Sequence, residues 1–370
     1  MQKKLFLLDG MALVYRAHFA LIRRPIVTSA GFNTSAIHGV TQTLLEIISS
    51  HEPSHLAVAF DTAAPTHRHI EYPDYKAQRD AMPEDLSQAL PGIRRIIEAL
   101  NIPILIQDGF EADDLIGTMV RRAETSGFVS YMVTPDKDFA QLVTDHCLIY
   151  KPSRMGDSPE ILGIPEILKK WGIEKTEQVI DILALWGDAS DNIPGVPGIG
   201  EKTASRLISQ YGSVENLIAH AGELKGKLKE SIETHREQAL LSKRLATISC
   251  DAPIPEQPDD LKRREIDREA TASVCREFEL NAIGRRLLGE DFRAGRGFQA
   301  SESPSPKGTD DSETLDLFSH AANQASKNPE PPPPESAPCK TSQEVPHHYR
   351  ALTTPEERRA LLDTLAVELC

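Results

Sequence analysis

Four short apolar runs, at residues 5–8, 56–60, 102–106 and 129–134, constrain the fold of this chain more than any other feature. Each is too short for a helix and suits a buried strand. Between them, residues 36–48, 86–100 and 114–123 carry apolar side chains at helical spacing. Strands alternating with helices specify an α/β fold, a central and mostly parallel sheet with helices on both faces. Residues 165–247 hold no convincing strand. Helical patterns at 176–185, 203–210, 214–219 and 237–248 are broken there by Gly and Pro, which predicts a second, all-helical lobe. No internal repeat is visible.

Composition changes abruptly near residue 295. Residues 301–345 hold eight Pro and eight Ser, with eight acids against three Lys, and include the run Pro331 to Pro334. Such a stretch buries too little apolar surface to offset its ordering entropy, so a disordered linker is expected over 295–345. A helical pattern resumes over 346–370 and reads as the truncated start of a following domain. At roughly 150 residues per domain, a chain of 370 residues with 40% hydrophobic content then divides into an α/β core at 1–164 and a helical lobe at 165–294. The run 5–8 is cut by Asp9, too short for the apolar region of a secretory signal. The five cysteines are scattered and never form a CxxC pair. Both features point to reduced thiols in a cytoplasmic chain and away from a disulfide framework or a zinc site.

The acids become informative on this frame. Asp9, Asp61 and Asp136 each follow a predicted strand, at the sheet edge where open α/β folds bind ligands. Glu111, Asp113 and Asp114 come just after the strand at 102–106, where a helix begins, and Asp138 follows Asp136 by two residues. Asp188 and Asp191 lie at the mouth of the helical lobe. Any one of these is ordinarily a helix cap or turn residue. Nine converging on one edge would repel one another severely without cations. Hard oxygen ligands without His or Cys select Mg²⁺ or Mn²⁺. Two such ions can activate a water and stabilise the leaving oxygen in phosphodiester hydrolysis. The net charge of −14 is less forbidding than it looks, because residues 301–370 carry twelve acids against six bases. The remaining residues are at −8, and +1 without the nine proposed ligands, which leaves basic surface for a phosphate backbone.

Between Asp61 and Leu86 lie Thr66-His67-Arg68 and Tyr72-Pro73-Asp74-Tyr75-Lys76-Ala77-Gln78-Arg79. If helical, Lys76 and Arg79 share a face, with Tyr72 and Tyr75 beside them. Cations interleaved with aromatics suit a single strand, and an ordinary solvated helix with inward Tyr fits equally well. Farther on, Ile193-Pro194-Gly195-Val196-Pro197-Gly198-Ile199-Gly200-Glu201-Lys202-Thr203 fails as a P-loop, since Glu201 stands where Lys is required. It reads as a tight hairpin between two helices, whose glycines let backbone N–H groups approach a phosphate. A plain capping turn is the alternative.

Taken in order, Leu8-Asp9-Gly10 with Tyr15-Arg16, Phe60-Asp61, Tyr75 to Arg79, Glu111-Ala112-Asp113-Asp114, Asp136-Lys137-Asp138, Gly187-Asp188-Ala189-Ser190-Asp191 and Gly198-Ile199-Gly200 resemble the motifs of the bacterial 5′ nuclease family. These are 5′→3′ exonucleases and flap endonucleases, also found at the head of a DNA polymerase, and the resemblance covers about residues 1–290. It implies a PIN-like core with a helical arch over about 62–85 and a helix-hairpin-helix lobe that grips duplex DNA beside a monovalent cation such as K⁺. One divalent ion is implied at Asp9, Asp61, Glu111, Asp113 and Asp114. A second is implied at Asp136, Asp138, Asp188 and Asp191. Tyr75, Lys76 and Arg79 fall on the arch, with Lys76 and Arg79 near the scissile phosphate and, with Asp136, catalytic.

The same resemblance makes Arg16 and Arg68 backbone contacts and places Gly195, Gly198, Gly200, Lys202 and Thr203 against DNA. His67 and His18 depart from the family's usual residues, which bears on substrate handling. The expected substrates are DNA with a 5′ flap, nick or free 5′ end and RNA-primed DNA, cut by a monomer without membrane attachment, in replication and repair near the bacterial nucleoid. Two other readings stand: a PIN-like nuclease directed at RNA, and a DNA-binding module without catalysis. The hairpin argues against the first and the unbroken carboxylate set with Lys76 against the second.

Overall fold

The computed structural model describes residues 2–152 and 158–295. The segments expected at 295–345 and 346–370 lie, apart from Gly295, outside the described residues. The sheet edge is built from β1 (Lys3–Asp9), α1 (Gly10–Ala20), α2 (Ser35–His51), β2 (His55–Ala59), α3 (His67–Glu71), α4 (Glu84–Ala99), β3 (Ile104–Leu105), α5 (Ala112–Thr125) and β4 (Phe128–Val133). Two further strands follow, β5 (Cys147–Lys151) and β6 (Glu160–Leu162). The helical lobe then adds α6 (Ile164–Trp171), α7 (Gln178–Trp186), α8 (Glu201–Tyr211), α9 (Val214–Ala219), α10 (Gly226–Thr234) and α11 (Arg236–Ala246). Last come α12 (Arg268–Glu277) and α13 (Asn281–Leu288).

The six strands run in the order β3-β2-β1-β4-β5-β6. All neighbours pair in parallel except β5 with β6. The mostly parallel sheet flanked by helices is as the sequence indicates. Strand β1 alternates its burden: Leu5 and Leu7 face the core under α5 and α7, Phe6 and Leu8 the core under α1, α2 and α4. All four are fully buried. Burying such a side chain contributes about 1.5–3 kcal/mol, so β1 is a rigid anchor and fixes the position of Asp9 at its end. Because β2 and β4 lie on opposite sides of β1, the strand order reverses there. That is where α/β sheets open a crevice.

Two expectations are corrected. The strand expected at 102–106 forms only two ladder residues, Ile104 and Leu105; Ile106 is left exposed. Residues 268–294, expected with the helical lobe, pack on the sheet's other face, where Val274, Phe278 and Ile283 join the core formed with α2 and α4. The helical lobe packs directly against the sheet. Its Leu183, Val196, Leu207 and Leu245 share one apolar core with Leu5 and Leu7 of the sheet. That shared core brings the mouth of the lobe to the sheet edge.

Candidate active site

Asp9 caps α1: its Oδ1 accepts the Ala12 N–H at 3.0 Å, while Thr134 Oγ1 donates to its Oδ2 at 3.1 Å. The N-cap role and the ligand role therefore coexist in one side chain. Burial pushes the Asp9 carboxyl up to about 6, against the pull of the Ala12 bond and with help from Asp61 and Asp136. Asp61 accepts the Ala112 N–H at the start of α5 at 2.8 Å. Asp136 accepts the Asp138 N–H at 3.0 Å. Both reach into a recess walled by protein, and desolvation there raises them above the usual carboxylate range. Asp113 and Asp138 are raised further, again chiefly by burial. Asp9, Asp61, Glu111, Asp113 and Asp136 line one cavity of about 510 Å³, with Lys76 and Arg79 on its wall.

The remaining acids are held by cations. Lys76 donates to Glu111 Oε1 at 2.7 Å and lies 3.5 Å from Asp191; Arg79 pairs with Asp191 at 2.5 Å. Despite its burial, Asp191 is held below the usual carboxylate range by Lys76 and Arg79. Lys137 pairs with Asp188 at 2.5 Å and lies 4.0 Å from Asp138. Among the described residues, no three of these acids stand close enough to chelate an ion as placed. With ammonium and guanidinium groups between them, that spacing has a physical cause. The donor set still fits a divalent cation. Every candidate ligand is a hard oxygen, and the buried Asp138 Oδ1 has no hydrogen-bond partner, an acceptor that costs free energy until something fills it.

Around the carboxylates, four placements differ from expectation. Arg68, expected on DNA, is 2% exposed. Its guanidinium makes a bidentate pair with Asp114 at 2.7 and 2.8 Å, reaches Glu111 at 3.1 Å, and donates to the Leu245 and Thr247 carbonyls. Asp114, expected on the first ion, is fully buried in that pair and also accepts the Glu111 and Ser249 N–H groups. Its acceptors are taken, and despite its burial Arg68 holds it below the usual range. Tyr75, expected to meet DNA, is buried, with its hydroxyl 3.0 Å from both Glu111 and Asp191. Finally, the stretch carrying Lys76 is not helical. Helix α3 ends at Glu71, turns follow, and Lys76 takes φ +57°. Its N–H bonds to the Asp191 carbonyl at 3.0 Å, a long-range tie that local spacing cannot show.

The hairpin joins α7 to α8. Gly187 (φ +78°) and Gly195 (φ +60°) press together so tightly that a Cβ on Gly195 would lie 2.5 Å from the Gly187 nitrogen. The Gly195 N–H, expected to meet phosphate, instead donates to Ser242 Oγ at 3.0 Å inside the core. Gly198, Gly200 and Lys202 are exposed, and Thr203 is half-buried. Gly198 and Thr203 border a second recess with Arg206 and Lys227. Arg16 is half-buried on α1. His18 is buried 3.8 Å from Asp85, and His67 packs against the Phe110 ring. Sequence reasoning missed Thr134 and Lys137, although Lys137 stands between two of the predicted ligands.

A parallel sheet gathering oxygen ligands at its carboxyl edge, beside cations, is the plan of a metal-dependent nuclease core. The chain belongs to the 5′–3′ exonuclease family. Its N-terminal resolvase-like domain model matches residues 4–172 and its C-terminal SAM-fold model residues 174–269. DNA polymerase I of Bacillus caldotenax is 42% identical over 289 residues, which is 78% of this chain and 32% of that protein. The chain thus spans about a third of the length of the curated relatives it matches. Among solved structures, T5 5′-exonuclease with bound zinc ions superposes with TM-score 0.57 at 21% identity, covering 77% of this chain and 98% of that one. The bacteriophage T5 flap endonuclease in a pseudo-enzyme–product complex with DNA and metal ions gives 0.56 at 20% identity, with the same coverage.

Proposed function

We propose that the chain is a structure-specific 5′→3′ nuclease that cuts DNA bearing a 5′ flap, nick or free 5′ end, RNA-primed DNA included, with two Mg²⁺ or Mn²⁺ ions. The observation that carries this reading is the cavity in which the ends of β1, β2 and β4 and the start of α5 bring Asp9, Asp61, Asp136, Glu111 and Asp113 together beside Lys76 and Arg79. T5 5′-exonuclease was solved with divalent zinc ions, and the T5 flap endonuclease with DNA and metal ions. Asp9, Asp61, Glu111 and Asp113 would hold the first ion; Asp136, Asp138, Asp188 and Asp191 would hold the second, some through water. Bound there, the ions would activate a water and neutralise charge on the leaving oxygen.

The chain's own residues do the rest. Lys76 and Arg79 direct positive charge at the cavity, where a phosphate's oxygens gain charge in the transition state. Arg68 holds α3, α5 and the end of α11 together, so the carboxylates keep their places. Gly198, Gly200, Lys202 and Thr203 offer the hairpin to a phosphate backbone, with a monovalent cation such as K⁺ part of the same reading. Arg16 is a further backbone contact from α1. No described helix is long and apolar enough to cross a membrane; action as a monomer on cytoplasmic, nucleoid DNA in replication and repair completes the proposal. The test is a labelled 5′-flap duplex incubated with the purified chain, with Mg²⁺ or with EDTA. Mg²⁺-dependent release of the flap is expected, and an intact flap in both would refute it.

A further inference from the structure

Lys137 has no part in the reading above, yet it occupies the second carboxylate group. It lies on the turn after β4, between Asp136, which lines the cavity, and Asp138, which is buried. Its ammonium stands 2.5 Å from Asp188 Oδ2 and 4.0 Å from Asp138 Oδ1. Its position is set by packing as well as charge, because the ammonium also lies 5.3 Å from the centroid of the Trp186 ring, at the end of α7. The side chain is 29% exposed, whereas Arg79 on the cavity wall is 51% exposed. Asp188 is itself buried and its other oxygen accepts the Ser190 N–H at 2.7 Å. The oxygen that Lys137 takes is therefore the one left for any incoming cation. Three anions on one turn and one loop need a counter-charge, and an ammonium that never loses its proton near neutrality supplies one.

We propose that Lys137 is a placeholder cation, holding Asp188 and Asp138 in position until a divalent ion displaces it, and so setting how tightly that second site binds metal. The proposal rests on the two-ion reading above. A Mg²⁺ ion bound directly takes its oxygens at about 2.0–2.1 Å, so at Asp188 Oδ2 it would press against the ammonium and the two like charges repel. The two cations compete for one anion, and binding of either weakens the other. Competition of this kind has a signature. Removing the lysine weakens the metal-free protein and strengthens metal binding, because both follow from the same lost ion pair.

The experiment is a titration of the full chain with Mn²⁺ alone, read by calorimetry and by the paramagnetic signal of free Mn²⁺, for wild type, Lys137→Met, Lys137→Arg and Asp188→Asn. Met keeps the stem over Trp186 and removes the charge. In Lys137→Met the weaker Mn²⁺ site should tighten by on the order of tenfold, and the metal-free protein should melt lower by roughly 2–4 °C. Lys137→Arg should keep wild-type affinity, and Asp188→Asn should weaken the same site. Weaker Mn²⁺ binding in Lys137→Met would overturn the proposal by making the lysine a support of the metal. Unchanged binding there, with Asp188→Asn still weakened, would overturn it while leaving the two-ion reading standing. If neither variant changes any Mn²⁺ site, both the proposal and the two-ion reading fall.

Discussion

Asp9 and Asp61 sit on strand ends and lean on backbone amides; Asp188 and Asp191 sit on the hairpin loop and lean on Lys137, Lys76 and Arg79. Both pairs face the problem of concentrated negative charge in a desolvated place. The strand-end pair meets it by holding protons more tightly, and the loop pair by borrowing cations from its own chain. Rigid elements can aim N–H dipoles at a carboxylate, whereas a loop has fewer such dipoles and gains more from a flexible lysine. The first pair should therefore respond to pH and the second to loss of a positive charge.

The largest effect on stability is expected where cation and carboxylate are both buried. Arg68→Ala leaves the buried Asp114 without its bidentate partner and should cost about 3–5 kcal/mol, read by urea unfolding. Arg68→Lys should recover little of it, since one ammonium cannot replace a bidentate fork that also serves two carbonyls. Unchanged stability with weakened DNA binding would return Arg68 to the DNA surface.

Lys76→Ala should lower the single-turnover rate on a flap substrate by on the order of 10²–10³ and weaken DNA binding much less. Single-turnover rates and dissociation constants at two salt concentrations distinguish this from a docking role. If only affinity falls, with a shallower salt dependence, Lys76 is a backbone contact.

Asp9 offers the pH test. Its folded value of about 6 lies above the unfolded 3.8, so between those values the folded state holds more protons than the unfolded one. Stability of the metal-free protein then falls as pH rises through that window, by about 3 kcal/mol from this group. Asp9→Asn, which can still cap α1, should flatten that slope and raise metal-free stability at pH 7. Unfolding curves from pH 4 to 7 check the sign, and a slope unchanged by the substitution would remove Asp9 as its source.

The smallest effect separates two hairpin glycines. Gly198 has φ +81°, so Val there strains the backbone as well as blocking phosphate, whereas Gly200 is extended (φ −94°) with open space around its Cα. Gly200→Val therefore tests approach alone. Flap affinity should drop by roughly tenfold with the rate at saturating DNA nearly kept, and an equal loss in both would move the hairpin to the reaction centre.

Most of what was legible came from local pattern. The parallel frame and the sheet-edge acids follow from apolar runs that end in Asp, because such a run can only be buried with its end at the edge. What escaped is held by partners distant in sequence. Strand β5 has only a short apolar stretch cut by Lys151, and its pairing with β4 and β6 makes it a strand. Arg68 reads as a free cation beside other basic residues until the Leu245 and Thr247 carbonyls are seen to receive it. Lys76 and Arg79 share a partner, Asp191, though not a helix face. Lys137 is adjacent to two predicted ligands, yet spacing alone does not say where a flexible ammonium rests.

The proposed function places phosphodiester hydrolysis at the carboxylate edge, and Asp136 is the most telling member of that edge. It lines the cavity from β4 and joins the two groups, with Asp9 beside it on one side and Asp188 and Asp191 on the other. The direct measurement is 5′-flap cleavage by Asp136→Asn at saturating Mg²⁺, alongside its melting temperature without metal. Cleavage should fall by at least about 10³, while the metal-free protein melts no lower than wild type, because one repelling charge has gone. Near wild-type turnover from a folded Asp136→Asn chain would contradict the account.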